Sequence, residues 1–216
     1  HETALVDLCR SNRVFLLCGQ TGSGKTTQFP QYILEDAFAR GEGGNTHIVV
    51  TQPRRIAATG VASRVAAERG EKLGPVRGSR KQAGVVQPDG DKGRFSVGSN
   101  VVGHHIRGDA TTNPQTHLTF CTVGILLRQL QTGLPSHISH ICVDEVHERG
   151  VDTDFLLTVL KGLLVTHPTL KVILMSATID ADKFASYFAP ASPTGQCPVY
   201  NVPGFVHPVR ELYLED

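Results

Sequence analysis

The stretch Val14-Phe15-Leu16-Leu17-Cys18-Gly19-Gln20-Thr21-Gly22-Ser23-Gly24-Lys25-Thr26-Thr27 decides how the rest of the chain is read. Five apolar residues in a row fit a strand buried on both faces. They run directly into Gly19–Thr26, which fits GxxxxGK[ST], and Thr27–Arg40, compatible with a helix, follows. A loop poor in side chains lets several backbone N–H groups approach one anion closely. Lys25 adds a fixed positive charge, and the start of a helix adds the positive end of its dipole. The Thr26 hydroxyl suits a divalent cation. Strand, loop and helix together predict a phosphate cradle contacted by Gly22, Ser23, Gly24, Lys25, Thr26 and Thr27.

Working outward, apolar, β-branched runs recur at His47–Thr51, His117–Cys121, Ile138–Val143 and Val172–Met175, with a last one at Val199–Val202. Between them lie helix-compatible segments at Ile56–Arg69, Gly124–Leu130 and Phe155–Leu164. Continuous apolar strands alternating with helices predict an α/β domain, a mostly parallel sheet covered on both faces. In such a sheet ligands sit at the carboxyl ends of the strands. The segments that leave those ends are the glycine-rich loop, Thr51-Gln52-Pro53-Arg54-Arg55, Thr122-Val123-Gly124, Asp144-Glu145-Val146-His147 and Ser176-Ala177-Thr178. All are expected on one edge.

The glycine-rich loop alone leaves kinases, GTPases, motors and helicases open. Asp144-Glu145 narrows the choice. Two adjacent acids at the end of a buried strand are costly unless a cation sits between them, and Mg²⁺ with a nucleotide supplies one. Asp144 then holds the metal, and Glu145, placed beside it, orients and deprotonates an attacking water. The pair suits water activation better than transfer to a bound acceptor, and no NKxD segment for base recognition is present.

Composition sets the remaining bounds. The 216 residues are 40% apolar and 19% charged with a net charge of +1, which suits a folded core and argues against a disordered chain. No run of 18 or more apolar residues is present, so no membrane span is expected. The N-terminus lacks the pattern of a signal peptide and reads as a cut within a longer protein. Five cysteines without a CxxC pair argue against a disulfide framework or zinc site and for an intracellular setting. Near-neutral charge confines nucleic-acid contact to local basic residues. Arg54 and Arg55 follow a proline that stops a strand, so they project from the sheet edge where a backbone phosphate can lie. With no Trp, phosphate tracking is favoured over base stacking. Residues 75–99, rich in Gly, Ser, Lys and Arg, read as an inserted loop.

GQTGSGKTTQ, TQPRRIAA, CTVGILLR, DEVHER and SAT stand in the order and spacing of the first RecA-like domain of DEAH-type and RNA helicase A-like helicases, which the chain resembles from Asn12 to Asp216. It departs from common family forms at Gln20, Val123 and Val146, where Glu, Asp and Ala are frequent. The resemblance implies a RecA-like P-loop NTPase domain over residues 1–209, with 210–216 starting a linker to a second RecA-like domain and further C-terminal domains. It implies ATP or other NTPs with Mg²⁺, single-stranded RNA as partner, and an activator protein for the parent chain. Lys25, Asp144, Glu145 and His147 become the catalytic set, with Thr26, Asp144 and Glu145 at the metal. His147 links nucleotide state to the second domain, Ser176 and Thr178 couple hydrolysis to strand movement, and Arg64 stacks on the nucleotide base. Thr122, Gly124 and Arg128 match a strand-contacting motif beside Arg54 and Arg55. The arginines that complete the family's hydrolytic site lie in the second domain, so this segment is expected to bind nucleotide and hydrolyse it poorly. A nucleotide-dependent RNA clamp without unwinding is the alternative, and the choice of RNA over DNA rests on the resemblance.

Overall fold

The computed structural model of the chain describes residues 2–71, 73, 101–177 and 181–204. Thr178, the inserted loop at 75–99 and the expected linker at 210–216 lie outside the described residues.

Eight strands form one sheet. In chain order they are β1 (Val14–Cys18), β2 (Ile48–Gln52), β3 (Val102–Ile106), β4 (Asp109–Ala110), β5 (Leu118–Thr122), β6 (His140–Val143), β7 (Lys171–Ser176) and β8 (Val199–Asn201). Their spatial order is β4-β3-β5-β2-β6-β7-β1-β8, and every adjacent pair is parallel except the β3–β4 hairpin. The helices are α1 (Glu2–Ser11), α2 (Lys25–Ala39), α3 (Arg55–Glu68), α4 (Val123–Leu130), α5 (Val151–Thr166) and α6 (Ala181–Phe188). This is the mostly parallel α/β sheet expected for a RecA-like domain.

The continuous apolar strands are needed because both faces are buried. Along β1, Val14, Leu16 and Cys18 join a core with residues of α4, α5 and α6, while Phe15 and Leu17 join a second core with α1, α2 and α3. Side chains alternate across a strand, so one five-residue run supplies both cores. All five are buried, and each large apolar side chain so buried is worth about 1.5–3 kcal/mol. Phe15 meets Phe29 of α2 edge-on, with ring centroids 5.8 Å apart, which fixes the two flanks of the glycine-rich loop against each other.

Helices α1 and α6 and the β3–β4 hairpin had no counterpart in the sequence reading. Helix α1 packs Leu5, Val6 and Cys9 into the second core. Strand β3 is the run Val-Gly-His-His-Ile, in which His104 is buried. Its ring Nε2 lies 3.0 Å from Asp109 Oδ2 across the hairpin, so half of the His104-His105 doublet is a satisfied core group. Helix α6 is eight residues long and buries Phe184 and Phe188. All five cysteines are buried and unbridged, and the thiols of Cys9, Cys121 and Cys197 are pushed up to about 12 by burial. No helix among the described residues is long and apolar enough to cross a membrane.

Candidate nucleotide and nucleic-acid sites

The sheet order decides which segments meet. The glycine-rich loop leaves β1 and the acidic pair leaves β6, with only β7 between them. The other side of β6 is β2, and beyond it come β5 and β3. One carboxyl edge is thereby divided, with the loop, Ser176-Ala177 and Asp144 on one half and Arg54, Thr122 and Arg107 on the other.

In the loop, Gly22 and Gly24 both hold φ +84, a left-handed backbone that a residue with a Cβ adopts only with strain. This bends the chain so that Lys25 begins α2. Lys25 is buried, and its ammonium donates to the carbonyls of Gly19 and Gln20 and to Ser23 Oγ. Burial lowers its pKa, against the opposing charges of Asp144 and Glu145. The loop is thus folded around its own cation. Its first residue is tied to β7, where Gly19 N–H donates to Ser176 O at 3.1 Å.

Asp144 is 3% exposed and fully engaged. Its Oδ2 accepts the Thr26 hydroxyl at 2.5 Å and Gln52 Nε2 at 2.5 Å, and its Oδ1 accepts the Glu145 backbone N–H at 2.9 Å. Two of the three candidate metal ligands, Thr26 and Asp144, 118 residues apart, are therefore in direct contact. A hydroxyl beside a carboxylate is the hard-oxygen donor set that suits Mg²⁺ completed by phosphate and water oxygens. Gln52 is a functional residue that the sequence pattern leaves unassigned. Its signal was a long amide at the end of a strand otherwise apolar enough to be buried throughout.

Glu145 sits in a left-handed backbone, φ 55, at the head of the 3-10 turn Val146–Glu148. Burial and the neighbouring Asp144 charge raise its carboxyl above the usual glutamate range, which favours a proton acceptor over a spectator anion. His147 Nδ1 accepts the Ala177 N–H at 3.2 Å and lies 3.4 Å from Glu145 Oε2. His147 thus joins the acidic turn to the segment after β7. Ser176 is buried at that strand's end.

Arg64 stands on α3 and is exposed, held by Glu68 at 2.6 Å. Glu68 also accepts Gln28 Nε2 at 2.9 Å and Gln31 Nε2 at 3.0 Å from α2, and the Arg64 hydrogen bond leads the causes that hold its carboxyl below the usual range.

Of the five basic-edge candidates, Arg55, Thr122, Gly124 and Arg128 line one groove of about 720 Å³, together with Pro53, Arg107 and the Gly150–Thr153 segment. Arg107 is the residue the sequence missed. It lies at the tip of the β3–β4 hairpin, and its carbonyl accepts Arg55 Nη2 at 3.0 Å. Arg54 does not line the groove. Its guanidinium pairs with Glu148 Oε1 at 3.1 Å.

The DEAD/DEAH box helicase family model matches residues 1–186. The chain belongs to the DEAD/DEAH box helicase family. Among curated relatives of this helicase domain, it is 44% identical over 206 residues to the DExH-box ATP-dependent RNA helicase DExH1 of Arabidopsis thaliana, covering 95% of this chain and 18% of that protein. It is 43% identical over 218 residues to the ATP-dependent RNA helicase DHX30 of Homo sapiens, covering 100% of this chain and 16% of the relative. It is 44% identical over 207 residues to the RNA editing associated helicase 2 of Trypanosoma brucei brucei, covering 95% of this chain and 8% of that protein. This chain therefore spans less than a fifth of the length of each of these relatives.

Proposed function

We propose that this chain is the ATP-binding motor domain of an ATP-dependent RNA helicase, coupling NTP hydrolysis to movement along single-stranded RNA. The observation that carries the proposal is the buried contact of Thr26 with Asp144, on the same sheet edge as a groove lined by three arginines. The relatives DExH1 and DHX30, named as ATP-dependent RNA helicases, support RNA as the strand.

Lys25 turns from the loop carbonyls to the β- and γ-phosphates, while the N–H groups of residues 22–27 surround them. Thr26 and Asp144 hold Mg²⁺, which when bound neutralises charge on the phosphates. Glu145 orients water and takes its proton, and its raised pKa brings it closer to that task at neutral pH. Gln52 holds the Asp144 carboxylate through its hydrogen bond to Oδ2. His147 and Ser176-Ala177-Thr178 carry the state of the phosphates to a second RecA-like domain, which supplies arginines to the transition state. An arginine supplied in this way is worth on the order of 10³–10⁵ in rate. The domain alone therefore binds nucleotide and turns it over slowly. Arg64 faces the base, an arrangement tolerant of several NTPs. In the groove, Arg55, Arg107 and Arg128 meet backbone phosphates, with Thr122 and Gly124 allowing close approach.

The test is ATPase and unwinding by the full-length protein with RNA and DNA compared. RNA-stimulated turnover, strand separation, and loss of both in Glu145→Gln with nucleotide binding kept are expected. Nucleotide-dependent RNA binding without turnover would favour a clamp, and absence of nucleotide binding would overturn the assignment.

A further inference from the structure

Among the described residues only two non-glycines hold positive φ, and they bracket a single turn. Glu145, φ 55, precedes Val146–Glu148, and Arg149, φ 52, follows it. Left-handed backbone is unfavourable at residues with a Cβ, so such a turn persists only while its surroundings hold it. Val146, fully buried in the core, holds the centre of the turn, and side-chain contacts hold its flanks. Asp144 Oδ1 accepts the Glu145 N–H at 2.9 Å, His147 Nδ1 accepts the Ala177 N–H, Arg149 grips Asp154 through Nε at 3.0 Å and Nη2 at 2.9 Å, and Glu148 pairs with Arg54.

The last contact, exposed like the Arg149–Asp154 pair, is the one that reaches the residues beside the arginine groove. The Arg54 side chain is 73% exposed and that of Glu148 is 35% exposed. Arg54 comes from the bend between β2 and α3, and its neighbours Pro53 and Arg55 both line the arginine groove, as does Gly150, two residues beyond Glu148. The pair therefore joins the groove to the turn that carries Glu145 and His147. An exposed carboxylate–guanidinium pair is weak and screened by salt. A phosphodiester offers the same planar pair of oxygens to the guanidinium, and a strand brings several such groups at once.

We propose that Glu148 occupies Arg54 in the RNA-free protein and that a backbone phosphate of RNA takes its place. The pair thus holds the turn short of its productive position, and its loss frees Glu145 and His147 to reach that position, so that occupancy of the groove is reported to the water-activating residue. Glu148 is here a positioning residue that stands in for phosphate. The proposal rests on the functional reading above, which supplies RNA as the occupant of the groove.

The experiment uses the full-length protein and compares wild type, Glu148→Gln, Arg54→Ala and the double variant. It measures affinity for a single-stranded oligouridylate by fluorescence anisotropy, and ATP turnover with and without that RNA. Glu148→Gln should tighten RNA binding by up to about fivefold, the range set by an exposed pair, with the gain shrinking as salt rises. It should also raise turnover without RNA. Arg54→Ala should raise RNA-free turnover as well, while weakening RNA binding. In that background Glu148→Gln should change affinity no further. Both side chains lie at the surface, so the variants should melt close to wild type. Wild-type affinity and wild-type RNA-free turnover in Glu148→Gln would overturn the proposal, as would an affinity gain that survives undiminished in the Arg54→Ala background. Either result with normal RNA-stimulated turnover in the wild type leaves the functional reading standing, whereas a wild-type protein that binds no RNA removes both.

Discussion

Replacing Gln52 by Leu tests how far the acidic pair depends on a residue from the neighbouring strand. The amide is 4% exposed and its Nε2 lies 2.5 Å from Asp144 Oδ2 in a buried setting. A hydrogen bond to a charged group contributes about 1.5–3 kcal/mol. Asp144 keeps the Thr26 hydroxyl and the Glu145 N–H, so the loss should fall at the lower end, about 1.5–2 kcal/mol. Leucine has nearly the volume of glutamine and leaves no large cavity, so packing should add little. For a chain of this size that loss corresponds to a melting temperature lower by roughly 3–8 °C. The assay is a thermal melt with a urea titration, run as a double-mutant cycle with Asp144→Asn. In the Asp144→Asn background the cost of Gln52→Leu should fall by at least about 0.5 kcal/mol, because the amide then no longer meets a charged oxygen. A melting temperature within about a degree of wild type, or equal costs in both backgrounds, would refute the reasoning.

Mg-ADP at about a hundredfold over its dissociation constant should stabilise the domain by about 2.7 kcal/mol, a rise of roughly 5–11 °C. Lys25→Ala should abolish that rise, as read by differential scanning fluorimetry. His140 stands at the start of β6, and burial of its ring, with Lys171 and Arg40 nearby, pushes its pKa down to about 3 from 6.5. The folded ring stays neutral while the unfolded one takes a proton. Stability from this group is therefore present above pH 6.5 and lost as pH falls below it, at up to about 1.4 kcal/mol per unit. Urea melts of His140→Asn and wild type from about pH 7.5 to about pH 5 should differ by that slope, and parallel curves would speak against it. Arg128→Ala in the full-length protein should weaken RNA binding evenly across sequences and reduce the salt slope by about one, measured by anisotropy titrations at several salt concentrations.

The glycine-rich loop and six of the eight strands were legible because each is a local signal. An apolar run that can be buried on both faces, or a GxxxxGK[ST] loop, carries its meaning within a few neighbouring residues. Strand β3 was not legible. Its His-His reads as polar surface until Asp109 and Thr111 arrive from the other arm of the hairpin to satisfy His104. Helix α1 was hidden for a related reason, since only three of its ten residues are buried and their partners lie on α2 and β1.

Local signals in the chain carry the class of fold, the glycine-rich loop, the acidic pair and the edge on which they stand, because backbone chemistry at glycine and at strand ends is written in neighbouring residues. Chain packing brings Thr26 onto Asp144, sets Gln52 against the same carboxylate, joins Arg107 with Arg55 and Arg128 in one groove, and turns Arg54 away to Glu148. Those contacts follow from strand order, with β7 inserted between β6 and β1, and strand order is fixed by how two cores close around the sheet rather than by any single segment.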